Sequence, residues 1–333
     1  MVAIFKTKNP VNILVLLVFG VLIKLPLFIH PAVVLPKETD GLFFQKILQG
    51  LQSAGAANPV LYSFIAFTIL FLQAVAITRI VNTYRMMEKP NYFPGMTFLF
   101  VTSLFPSWNV LSAPMLVNCI LLYILSGLLK TYNRTNVKAL VFNIGLALGI
   151  AGFIYAPAIL FFVWILFSLV LMRSVRPNEW ILCLVGLVTP SYFYAMYLLI
   201  TDAWSWQAIW PQFSMHILEI EQSIWLAGSA FLLVIPFLLG SYFVQDSLRK
   251  MLIQIRKSWS LVLVLLIIAL LIPFVNNQGD LQKWAIMAIP IALFQAKGYM
   301  ATPLRILPVL LFWMTLAFIL CYQFLGPGWA MNG

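Results

Sequence analysis

Charge is the scarcest resource in this chain. Only 9% of its 333 residues are Asp, Glu, Lys or Arg, against about 25% in a soluble globular domain. Hydrophobic residues make up 63%, and the mean hydropathy is +0.99. No soluble fold of this length could cover so much apolar surface, so composition excludes a water-soluble enzyme or binding module. There are two histidines, His30 and His216, and three cysteines. Cys119, Cys183 and Cys321 all fall inside apolar runs, which reads as packing rather than a disulfide framework or a metal centre. The sequence has no phosphate-binding glycine loop, no His-x-x-x-His pair, no Gly-x-Ser-x-Gly elbow and no run of intramembrane acids. Cytoplasmic nucleotide chemistry and a proton relay are disfavoured accordingly.

What is present is a series of apolar runs separated by short polar loops. Alternate loops carry most of the cations: Lys6 and Lys8; Arg79, Arg85 and Lys89; Lys130, Arg134 and Lys138; Arg173 and Arg176; Arg249, Lys250, Arg256 and Lys257; Lys297 and Arg305. The other loops hold Lys37, Lys46 and Lys283, together with Glu38, Asp40, Asp202, Glu219, Glu221 and Asp280. This is the positive-inside bias. It accounts for the net charge of +11 through topology and anionic lipid, without a nucleic-acid partner.

The expected fold is an all-α polytopic transmembrane helix bundle of about eleven spans. Its N-terminus is expected to be cytoplasmic and its C-terminus outside. The runs expected near Phe93–Phe105 and Trp284–Phe294 are short for a bilayer core that needs about 20 residues. The first apolar run is expected to be a retained helix rather than a signal peptide, because a small-x-small cleavage site is absent. Residues 1–333 read as one membrane domain. Within it fall a module over 1–200 with its first outward loop at 30–58, an aromatic outward loop at 201–222, and C-terminal helices over 223–333. No repeat or low-complexity tract interrupts it.

The stretch from Pro10 to Gln52 holds the densest chemistry. Lys24 lies inside the first span, where a cation costs about 2.5–3.5 kcal/mol at the bilayer centre. It either snorkels to the outer interface or holds a lipid phosphate or a loop acid. Just beyond, Glu38 and Asp40 sit in a polar loop at the membrane boundary, with Lys37 beside them. They are either a solvated acidic loop, or a base whose pKa is raised by low dielectric, or oxygen ligands for a divalent cation. The segment GLFFQKILQGLQ then sets Phe44, Leu48 and Leu51 on one side and Gln45, Gln49 and Gln52 on another, as an interfacial helix does.

Farther on, TDAWSWQAIWPQFSMHILEIEQ is rich in aromatics. It is an interface belt or a lid that stacks on a sugar or a polyprenyl chain. In it His216 precedes Glu219 by one helical turn, a candidate substrate-binding pair.

Two resemblances attach to these residues. LIKLP at the end of the first span, the outward ETD and the amphipathic helix after it resemble the opening of the polytopic GT-C glycosyltransferases. NIGLALGIAGFIYAPAILFFVWILFSLVL resembles their paired helices with a proline at the turn. The resemblance implies a sugar donor carried on polyprenyl phosphate and a first-loop acid that activates the acceptor or helps bind a metal. That acid is Asp40, with Glu38 the alternative, and Lys24 and Lys37 take the phosphate contacts. The sequence departs from the pattern in having Lys24 where arginine is commoner, and no acid in SWNVLSAP. KTKNPVN and RPNEWILCLVGLVTPSYFYAMYLLITD resemble a bacterial integral-membrane family whose members sometimes carry a carotene-oxygenase label, and this resemblance implies a place in the bacterial inner membrane and no established activity. Two histidines cannot build the four-histidine iron site that label implies. A non-catalytic subunit or assembly factor of an envelope complex, bound to other envelope proteins, and a lipid-linked polymer flippase are the competing expectations.

Overall fold

The structure, a computed structural model, describes all residues except 1, 8, 38–39, 174–175, 205–222, 276–279, 303–305 and 326–333. Among the described residues the regular elements are helices. In chain order these are α1 (Val2–Phe5), α2 (Val11–Ile23), α3 (Pro26–Ile29), α4 (Leu42–Ala57), α5 (Val60–Thr83), α6 (Phe93–Ser103), α7 (Ala113–Lys130), α8 (Lys138–Ile154), α9 (Phe161–Met172), α10 (Pro177–Ile200), α11 (Ile224–Ser247), α12 (Ile253–Leu271), α13 (Ala288–Ala301) and α14 (Ile306–Leu325). Short 3₁₀ turns join several of them, notably Pro106–Asn109, Ala156–Leu160 and Leu281–Met287.

Among the described residues, six helices are long and apolar enough to cross a membrane, which makes this a multi-pass membrane protein. Four shorter apolar helices accompany them: Val11–Ile23, Phe93–Ser103, Lys138–Ile154 and Ala156–Met172. The two expected short runs have a common explanation. Every residue of α6 is buried, and so is every residue of α13 from Ala288 to Tyr299. They form the centre of the bundle, packed on each other and tied by Thr97 Oγ1 donating to Ala292 O at 2.9 Å. Eleven residues rise only about 16 Å, roughly half the hydrocarbon core. Protein rather than lipid surrounds α6, so its length need not match the bilayer. The 3₁₀ turn Leu281–Met287 lengthens α13 on one side, and the two together reach roughly 35 Å.

Prolines mostly start elements rather than break them. Pro26, Pro106, Pro157 and Pro273 stand in first turns, where a missing N–H costs little, whereas Pro190 and Pro236 fall well inside helices.

The pairing of α8 differs from the expected one. Pro157 does mark the turn between α8 and α9, but α8 packs chiefly on α10, while α9 packs on α12 through Trp164 Nε1 donating to Leu261 O at 3.0 Å. The physical reason is small residues. Gly145 and Gly149 lie four apart on α8 and meet the α10 backbone at Cys183 and Leu187, while Gly186 of α10 meets the α8 backbone at Phe142 and Leu146. A Cβ at Gly145 would stand 2.1 Å from Cys183 O, and one at Gly186 would stand 2.3 Å from Phe142 O. In lipid, where apolar transfer does not drive helices together, such close backbone approach is a main source of association.

Loops gather at two ends. At one, Trp259 Nε1 donates to Met86 O, and Arg173 pairs with Glu179 at 3.2 Å and donates to Thr131 O. At the other, Gly41 N donates to Ile154 O and Trp108 Nε1 to Leu281 O. The second end holds the Asp40 loop.

Candidate functional site

The chain leaves α2 at Lys24, makes the single turn of α3, and runs without regular secondary structure from Pro31 to Lys37. It then closes a tight turn. Lys37 N donates to Asp40 Oδ2 at 2.9 Å, and Asp40 N donates to Lys37 O at 3.1 Å. An aspartate that accepts from a backbone N–H in this way stabilises a turn by itself. Gln45, in the first turn of α4, closes the arrangement by donating to Lys37 O at 3.2 Å and to Asp40 O at 3.0 Å. The amphipathic helix is therefore present, and it buries Phe44 and Leu48 on its expected apolar side. One of its polar glutamines fixes the loop.

Gly41 seats the turn against the end of α8. Its N–H bonds Ile154 O at 3.0 Å, and a Cβ there would lie 2.2 Å from Phe153 O. Only glycine lets the loop backbone come this close. Phe43 stacks on Phe153, with ring centroids 5.0 Å apart, beside this contact.

Asp40 and Lys37 meet two further charges from far along the chain. Lys37 Nζ forms an ion pair with Asp280 and donates to Gln282 Oε1 at 3.1 Å. Asp280 also accepts from Gln282 N at 2.9 Å, capping the 3₁₀ turn that carries buried Lys283. Together these residues enclose a hollow of about 20 Å³, which Ser112 and Leu111 also line. That is room for about one water molecule. The Ser112 hydroxyl is buried without a hydrogen-bond partner among the described residues.

Burial shifts two of these groups. The Asp40 carboxyl is pushed above its ordinary value by loss of solvent, with Asp280 adding to the rise; the Lys37 N–H and the Lys37 and Lys283 cations oppose it. Burial likewise pulls the Lys283 ammonium below its ordinary value, against the attraction of Asp280 and Asp40.

A second cavity opens beside the first. It has a volume of about 290 Å³ and shares Val34, Leu111 and Gln282 with the hollow. His30, Tyr62, Ser107 and Tyr322 give it polar edges, and Leu27, Ala66 and Phe105 give it apolar walls. It is about the smallest size usual for a small-molecule site.

Lys24 goes elsewhere. It does not snorkel, and it borders neither cavity. Its side chain is fully buried, donating to Thr102 Oγ1 and Ser103 Oγ at 3.0 Å each and to Asn109 Oδ1. Three oxygens from the end of α6 and the turn after it take the place of water. The ammonium ties the end of α2 to the central helix, and its donors are already engaged. Of the residues singled out from sequence, Lys37 and Asp40 come together and Lys24 stands apart. Glu38, His216 and Glu219 lie outside the described residues.

Asp280 and Lys283 complete the cluster and were not among the candidates. Their signal was faint: an acid three residues before one of the few lysines in the cation-poor loops. Among the described residues no three His, Cys, Asp or Glu side chains approach a common metal position.

Fold and site together define a class: a multi-pass helical membrane protein with a compact acid–base cluster beside a cavity at one end of the bundle. The chain belongs to DUF6427, a family of unknown function, which it matches over residues 43–327. No curated protein and no solved structure matches it.

Proposed function

We propose that the protein is a transferase of the GT-C kind, moving a sugar from a polyprenyl-phosphate carrier at the outer face of the inner membrane. The observation that carries this reading is Asp40: a carboxylate of raised pKa, held by a backbone N–H, between two lysines and next to a cavity at the membrane boundary. A group so tuned is half-way to a general base for an acceptor hydroxyl. Lys37 and Lys283 supply the positive charge that a departing polyprenyl phosphate needs. The apolar wall of the cavity fits the first units of the carrier. Lys24 serves by positioning the 3₁₀ turn Pro106–Asn109, whose Pro106 and Ser107 border the cavity. The distribution of basic loops supports the outward orientation.

One observation favours a second reading. The Lys37–Asp280 pair closes the hollow to the size of one water, as it would in a structural clasp. A non-catalytic subunit of an envelope complex would have that geometry, with the cluster only locking two loops together.

Lipid extracts separate the two. In cells carrying Asp40→Asn, the transferase reading expects polyprenyl-phosphate sugar to accumulate while the protein remains at parental abundance. An unchanged lipid-linked pool, with a partner co-purifying at fixed ratio, supports the subunit reading instead.

A further inference from the structure

The opposite end of the bundle contains a separate cavity of about 250 Å³. It lies where the turn after α5, the end of α11 and the last turns of α13 meet. Its apolar lining is rich in methionine, with Met86, Met87 and Met251. Its charged lining sets Arg85, Lys250 and Lys297 against a single acid, Glu88.

Lys297 makes this cavity unusual. Its side chain is 1% exposed, and its ammonium meets Glu88 Oε1 at 3.5 Å. The Glu88 side chain is itself 72% exposed, so much of its charge is spent on water. A buried cation needs a close and desolvated counter-charge, and a loose contact with a solvated carboxylate does not supply it. Arg85 adds a second oddity. The turn after α5 is a Schellman turn, with Met86 N donating to Val81 O at 3.0 Å. Arg85 occupies its left-handed position, at φ 51°, where glycine is the usual residue. The chain thus accepts backbone strain to hold a guanidinium at the mouth of a cavity that already contains a buried ammonium.

We infer that this cavity binds a phosphate group, which completes the coordination of Lys297 and bridges it to Arg85 and Lys250. A guanidinium and two ammonium side chains that line one cavity from three elements suit the several oxygens of a phosphate better than a single carboxylate does. The methionine lining suits an attached acyl chain, because thioether side chains adapt to irregular apolar shapes. The phosphate is either that of an anionic lipid or free in solution, and this site is independent of the Asp40 cluster.

The test is the thermal unfolding midpoint of the full-length protein in micelles. Three titrants are compared: phosphatidylglycerol, zwitterionic phosphatidylcholine, and inorganic phosphate at constant ionic strength. Three variants are run alongside: Lys297→Met, Lys250→Gln and Arg85→Gly. Arg85→Gly removes the cation while relieving the strained turn, so it does not confuse lost binding with lost folding. A stabilisation specific to phosphatidylglycerol, with half-saturation weakened at least tenfold in Arg85→Gly and Lys250→Gln, establishes a lipid phosphate site. The same loss seen with inorganic phosphate establishes a site for free phosphate. Equal response to all three titrants, or variants that titrate like the parent, overturns the proposal.

Discussion

The contact between α8 and α10 gives the sharpest quantitative expectation. Replacing Gly145 by alanine places a methyl carbon 2.1 Å from Cys183 O, where ordinary contact begins near 3.4 Å. The obstacle is backbone, so no side-chain rotation relieves it. The helices must part by roughly 1 Å, or one must shift along the other, at an overpacking cost of about 1–3 kcal/mol. Gly186→Ala meets the same obstacle from the other side, 2.3 Å from Phe142 O. Because either methyl group already forces the helices apart, the second should cost less than the first. The double mutant is therefore expected to be less destabilised than the sum of the singles, by about 0.5 kcal/mol or more. Gly50 in α4 is the control, since nothing lies within 4 Å of a Cβ there. Gly50→Ala should stabilise the helix by about 0.5–1 kcal/mol. Thermal or denaturant unfolding in a single detergent measures the four variants against the parent. Full stability in Gly145→Ala, or strictly additive costs, would refute the close packing.

Three further outcomes concern the Asp40 loop. Gly41→Ala should detach the turn from Ile154 O, because its methyl group would fall 2.2 Å from Phe153 O; cross-linking of cysteines placed at residues 42 and 153 should slow while global unfolding changes little. Asp40→Asn should change how stability depends on pH. A carboxyl whose folded pKa is raised keeps its proton longer in the folded state, so its contribution is whole below the ordinary carboxylate value and is lost as pH rises toward the raised one. Unfolding midpoints measured across that window should fall less steeply in the variant, and parallel curves would contradict the buried carboxyl. Lys37→Met breaks a pair that is half-exposed on the lysine side, so the loss of stability should stay under about 1 kcal/mol. Under the transferase reading the same change should still depress turnover severely, and the comparison of midpoint with rate checks it.

The broad architecture was legible because hydropathy and charge alternation are local properties. Phe44 and Leu48 could be assigned to the buried side of α4 from spacing alone. What could not be read was pairing across long separations. Lys24 was conspicuous as a cation in an apolar run, but its partners Thr102, Ser103 and Asn109 are uncharged and lie about eighty residues on. A buried ammonium satisfied by hydroxyls and an amide has no complementary charge for sequence reading to find. Asp280 and Lys283 were visible only as loop charges until folding brought them to Lys37. The choice of α10 over α9 as the partner of α8 depends on Gly145 meeting Cys183 and Gly186 meeting Phe142, a match of two surfaces that neither run shows alone.

The most direct test is sugar transfer by the purified protein in lipid nanodiscs, supplied with a labelled polyprenyl-phosphate sugar and membrane-extracted acceptors. The account predicts that Asp40→Asn lowers the rate by about 10²–10⁴-fold, as loss of a general base does, with the unfolding midpoint nearly unchanged. Transfer at the parental rate in a folded Asp40→Asn protein, or no transfer by the parent, would contradict it.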